Sequence, residues 1–156
     1  MIDLRRVLYP DCTRANVRAA SRKSALEQAA LVIAGRDPAI DARHLLRDLL
    51  ARERLGSTGL GGGVAVPHCR SQCEQPLAAF LRLARPIDFD APDDQRVDLM
   101  FALVVPSDAA QVHLDIFSVL VSVLNEPANP IRLRRAEDDH ALFRELMAMV
   151  DGAVAA

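Results

Sequence analysis

Residues 98–105 read DLMFALVV, and after the aspartate every side chain is apolar. A strand with one wet face alternates apolar and polar residues. A run this short and this continuous is a strand buried on both faces. It needs a layer packed against each side of its sheet, which points to an α/β chain.

The flanking segments supply those layers. Ser21 to Ala34, SRKSALEQAALVIA, carries Leu26, Ala29, Ala30 and Ile33 at helical spacing. Ser21 or Ser24 can cap its start, Glu27 stands three after Ser24 as in a capping box, and Gly35 is placed to stop it. Asp41 to Leu55 is a second helix, with Asp41 as cap and Leu45, Leu46, Leu49 and Leu50 as its apolar stripe. Strands are expected at Gly63–Val66 and Ala78–Ala84, with a weaker one near Thr13–Val17. Gln111 to Leu124 is rich in β-branched residues, but its length favours a helix. A last amphipathic helix spans about Asp138 to Val150, and the tail 151–156 is expected to fray.

At 156 residues the chain reads as one domain, 1–156, with room for a substantial core. Its formal net charge of −2 provides no basic field to gather nucleic acid, and one Tyr, no Trp and five Phe make a poor stacking platform. Arg132 to Arg135, RLRR, is a local charge run that reads as a solvated loop or helix face. No apolar run approaches the ~20 residues of a membrane span, and MIDLRRVLYPDC has no signal-peptide pattern. Three cysteines, an odd number, argue against a disulfide framework. The expectation is a cytoplasmic protein without membrane insertion.

Four of the seven glycines fall in GLGGGVAVPHCR, Gly59 to Arg70. They mark backbone that bends tightly or approaches something closely. The apolar run after them stops at Pro67–His68, which puts His68 at the end of a strand, where α/β folds place their sites. His113 opens the helix that follows another apolar strand, and Arg52 to Thr58, RERLGST, leads from the second helix into the glycines. A neutral imidazole is a nucleophile through the nitrogen that lacks a proton, provided the other nitrogen is held by a hydrogen bond. A phosphoryl group on it needs donors close by: backbone N–H groups, a second imidazole, a hydroxyl, an arginine.

RERLGSTGLGGGVAVPHCR (Arg52–Arg70), RPIDFDAPDDQRVDLMFALVVP (Arg85–Pro106) and HLDIFSVL (His113–Leu120) together resemble the fructose/mannitol-type enzyme IIA of the bacterial phosphoenolpyruvate-dependent phosphotransferase system. The stand-alone nitrogen-regulatory branch is the most similar. The resemblance covers about Leu4 to Val150. It implies a mixed β-sheet flanked by helices. It implies that His68 accepts a phosphoryl group on Nε2 from a phosphorylated HPr-like or NPr-like carrier protein, and that His113 donates a hydrogen bond to that group. Arg52 would balance the charge, and Ser57 and Thr58 would line the site. It implies no metal and no cofactor, since transfer between two imidazoles depends on positioning and charge screening. The output implied is regulatory, exerted on target proteins such as kinases or transporters. The family's usual glycine after the histidine is Cys69 here, whose side chain either narrows the approach to the phosphoryl or points away.

Other readings exist for each residue. His68 could be a structural histidine at a strand end, and His113 a capped helix-start residue. Arg52 could pair with Asp48 on a wet helix face, and Thr58 could close a turn with Gly56 and Gly59. His44 and His140 read as surface residues. His68, Cys69, Cys73 and His113 could in principle surround a soft metal, although adjacent ligands are awkward. A sugar-specific IIA serving a fructose or mannitol permease would share the site. A regulator that only binds is the remaining alternative.

Overall fold

The computed structural model of the chain describes residues 3–155. Its centre is β6 (Val97–Pro106), paired antiparallel with β5 (Leu77–Ile87). On its other side β6 pairs in parallel with β3 (Val64–Ala65) and β4 (His68–Ser71). β1 (Thr13–Val17) lies parallel to β5 at one edge, and β2 (Gly59–Gly61) is antiparallel to β3 at the other. The sheet is therefore mixed, and Leu99 to Val105 are fully buried, as the apolar run requires.

Alternation along β6 divides the core in two. Leu99, Phe101, Leu103 and Val105 pack with Val64, Val66 and Phe80 against α3 (Ala110–Asn125), α4 (Ala128–Arg134) and α5 (Asp139–Ala155). Met100, Ala102 and Val104 pack with Ala65, Cys69 and Leu81 against α1 (Arg22–Arg36) and α2 (Ala42–Arg54). Residues that alternate along a neighbouring strand are sorted to the same two layers.

The helix signals are mostly met. Ser21 caps α1 by accepting the Ser24 N–H at 3.1 Å, and Asp41 caps α2 by accepting the N–H groups of Arg43 and His44. Gly35 does not stop α1. The helix runs through it to Arg36 and ends at Asp37, extended (φ −125°, ψ 101°) because Pro38 follows. α3 is a helix despite its β-branched residues, and it ends at an extended Glu126 before Pro127 for the same reason. α5 continues to Ala155 where fraying was expected. Asp151 on it takes two hydrogen bonds, at 2.8 and 2.7 Å, from Arg5. No helix among the described residues is long and apolar enough to cross a membrane.

The glycine-rich stretch folds as a hairpin, β2 to β3. Gly61, Gly62 and Gly63 all take positive φ, 92°, 66° and 82°. Two side chains hold this turn. Asp93 accepts the Gly62 N–H at 2.9 Å, and Arg134 donates to the Gly62 carbonyl at 2.7 Å while gripping Asp98. Arg134 is thus the arginine of the RLRR run that clamps a turn, while Arg132 pairs with Glu145 at 2.7 Å. The glycines bend the chain; they do not wrap the histidine. Their turn is at the far end of the hairpin from His68, and its return brings Thr58 beside Val66.

Candidate functional site

β3 and β4 are one strand line with a gap. Val64 faces Leu99 and His68 faces Leu103, so the same register against β6 resumes four residues on. Pro67 has no N–H to give, though its carbonyl accepts the Leu103 N–H at 2.8 Å. Val66 turns its N–H to the Thr58 carbonyl at 3.0 Å. Its own carbonyl meets Nδ1 of His68 at 2.7 Å. His68 accordingly opens a new strand segment at an interruption, where the sequence suggested the end of a strand.

A carbonyl oxygen only accepts, so His68 Nδ1 carries the proton and Nε2 keeps its lone pair. Burial, followed by the positive ends of His113 and Arg52, lowers the pKa of His68 below its ordinary value even though the Val66 bond favours the charged form. The ring is neutral near pH 7. Its centroid lies 4.8 Å from that of His113, with the planes tilted by 56°. His113 is likewise shifted down, by burial first and then by Arg70 and Arg52.

Phe117, one turn along α3 from His113, packs 5.0 Å from the His68 ring and 6.4 Å from His113. It walls the imidazole pair with hydrocarbon. Arg52 lies in the last turn of α2 and donates to the Gly56 carbonyl at 2.9 Å. It does not pair with Asp48, whose carboxylate takes the Ser71 hydroxyl at 2.7 Å and faces His44 Nε2 at 3.4 Å. His44 and His140 are exposed.

The hydroxyl protons of Ser57 and Thr58, the expected lining residues, are both already engaged. Ser57 donates to the Phe89 carbonyl at 2.8 Å, and Thr58 donates to the buried Glu53. Cys69 points away from His68: strand alternation sends it into the α1–α2 layer, where it is buried and its thiol is pushed up to about 12. The four-ligand metal arrangement is therefore not assembled. Among the described residues no group of three or more His, Cys, Asp or Glu is placed to hold an ion.

Three contributors lacked an assigned part in the sequence reading. Arg70 follows His68 by two on a strand and shares its face; Phe117 follows His113 by four on a helix. Those periods were readable. Glu53 carried no such signal, since a carboxylate in the last turn of a charged helix reads as a wet residue.

A neutral imidazole with a locked tautomer, a second imidazole against it and arginines nearby can accept and hold a small, highly charged group. The same fold occurs in the nitrogen regulatory protein IIA-Ntr of Neisseria meningitidis, with a TM-score of 0.79 and 32% identity over 95% of this chain and 94% of that one. Residues 6–148 match the family model for the phosphoenolpyruvate-dependent sugar phosphotransferase system, EIIA 2. The chain belongs to that family, and it is a phosphotransferase component. A nitrogen regulatory protein of Pseudomonas aeruginosa is 41% identical over 153 residues, 97% of this chain and 99% of that protein. A fructose-like EIIA component of Escherichia coli is 32% identical over 136 residues, 86% of this chain and 92% of that protein.

Proposed function

We propose that the chain is a histidine phosphocarrier of the nitrogen-regulatory kind. His68 Nε2 attacks the phosphorus of a phosphohistidine on an HPr-like or NPr-like carrier. The new P–N bond forms as the donor's P–N bond breaks, and the electron pair stays with the donor imidazole. The proton stays on His68 Nδ1, donated to the Val66 carbonyl throughout. The observation that carries this reading is that 2.7 Å bond, because it leaves Nε2 as the free nucleophile. The phosphoryl adds about −1.5 to −2 charge at pH 7. His113 donates to it, and Arg52 balances it from the end of α2. Ser57 and Thr58 shape the loop alongside.

That local gain of negative charge is the signal by which target proteins, such as kinases or transporters, distinguish the two forms. The name of the Pseudomonas relative supports the regulatory output. The fructose-like relative supports a second reading, in which the phosphoryl passes on to the cysteine of a permease B domain.

The test uses phosphoenolpyruvate, Mg²⁺, enzyme I and an NPr-like carrier. Intact mass should rise by one phosphoryl, acid-labile and base-stable, in the wild type and in no fraction of His68→Ala. A wild type that stays unlabelled while a control acceptor is labelled refutes the phosphocarrier reading and leaves a binding-only regulator. Onward transfer to a fructose-type B domain would establish the permease reading.

A further inference from the structure

Glu53 is a carboxylate in an unfavourable place. It sits in the last turn of α2, where the helix dipole is negative, and its side chain is only 1% exposed. Burial pushes its pKa up, with Thr58, Arg22 and Arg52 pulling the other way. Three contacts hold it. It accepts the Thr58 N–H at 3.3 Å and the Thr58 hydroxyl, and Arg22 from the first turn of α1 approaches to 3.7 Å.

The neighbours of Thr58 are pinned as well. Ser57 Oγ donates to the Phe89 carbonyl and accepts the Gly59 N–H at 3.1 Å, and Arg22 reaches that same carbonyl at 3.4 Å. With Thr58 fixed, its carbonyl accepts the Val66 N–H at 3.0 Å, and the Val66 carbonyl in turn accepts the His68 Nδ1–H, 2.7 Å from nitrogen to oxygen.

We propose that Glu53 is a positioning residue that sets the tautomer of His68, acting through Thr58 and the main chain of Val66. This rests on the reading of His68 as phosphoryl acceptor. Glu53 does not touch the transferred group. It holds the amide and hydroxyl of Thr58, whose carbonyl accepts the Val66 N–H and so aims the Val66 carbonyl that decides which ring nitrogen is left unprotonated. Arg22 is the counter-charge that lets a carboxylate serve there; the planar end group at the right reach, with an acceptor for the Thr58 N–H and a polar partner for its hydroxyl, is the part that matters.

The ring nitrogens report this directly. Long-range ¹H–¹⁵N correlation on the unphosphorylated full chain should show wild-type His68 with a protonated Nδ1 and a bare Nε2. In Glu53→Ala the two shifts should converge as the proton spreads over both nitrogens, and acceptance from the phosphorylated carrier should slow by about 10- to 100-fold. Glu53→Gln keeps the shape and an oxygen for the Thr58 N–H, and should return both readouts toward wild type.

Wild-type ring shifts in a folded Glu53→Ala overturn the proposal, even where the rate falls, because a merely structural residue would leave the tautomer alone. Should that variant fail to fold, Glu53→Asp is too short for both Thr58 donors and must show the same convergence; wild-type shifts there overturn it equally. The NMR result stands whether or not the wild type accepts phosphoryl, so failure of the carrier reading is seen separately.

Discussion

Adding a methyl group at Gly63 should damage the hairpin in a way that can be dissected. The residue has φ of +82°, which costs a side chain about 1–2 kcal/mol. Its Cβ would also fall on the Arg134 guanidinium, with the Arg96 carbonyl and an Asp98 carboxylate oxygen each 3.3 Å away. Arg134 would have to leave its bonds to Asp98, at 2.9–3.0 Å, and to the Gly62 carbonyl. That pair is partly exposed, with 34% and 19% of the side chains accessible, so its loss is worth about 1–2 kcal/mol after screening.

Gly63→Ala should therefore cost about 2–4 kcal/mol, a fall in Tm of roughly 5–15 °C in a domain of this size. Gly62→Ala provides the control. Its φ is +66° and no heavy atom lies within 4 Å of the new methyl, so only the backbone cost of about 1 kcal/mol should appear. Urea titration of both variants in wild-type and Arg134→Ala backgrounds closes a double-mutant cycle. Without Arg134, Gly63→Ala should fall toward its own backbone cost of about 1–2 kcal/mol. Equal costs for the two glycines in the wild-type background, or no coupling to Arg134, would refute the clamp.

Lowered imidazole pKa values make acceptance resist acid: Nε2 of His68 stays unprotonated below about pH 6.5, where a free histidine is half charged, and transfer rates against pH should fall only beneath that point. The same shift affects stability. The unfolded chain binds protons first as pH drops, so what His68 and His113 contribute is present above about pH 6.5 and lost as pH falls toward their folded values, as urea midpoints at about pH 7.5 and 5.5 should show. Cys69→Ala should lower stability by about 1 kcal/mol through lost packing in the α1–α2 layer and leave phosphoryl acceptance within about twofold. A large change in rate with unchanged stability would mean the thiol reaches the site.

The layers of this fold were legible because they rest on period and length. DLMFALVV announces a doubly buried strand, and the stripes on α1 and α2 announce what covers one side of it. His68 stood out as an imidazole just past an apolar run, and the paired parts of His68 and His113 came from the resemblance to a known family. The hairpin was not legible as a hairpin: β2 has three residues and β3 two, too few for alternation to show, and the glycines mark a bend without saying what it turns around. The stop at Gly35 was misread because a glycine and a pre-proline residue compete as helix terminators two positions apart, and the proline prevailed. The parts of Glu53 and Arg134 depend on contacts across 31, 36 and 72 residues of chain, and nothing local encodes those.

The alternation along β4 has an evolutionary consequence. His68 and Arg70 belong to one side of a wall and Cys69 and Ser71 to the other, so neighbours in sequence drift under different constraints. A thiol can replace a hydrogen atom at position 69 as part of a bargain struck with α1 and α2, unnoticed by the imidazoles. Arg52 reaches across the wall by its charge, and the Thr58–Val66 pair of peptides forms a doorway through it. Changes on the α2 side that pass through it reach the chemistry; those that do not are free to tune solubility, lifetime or partners while the reaction stays as it was.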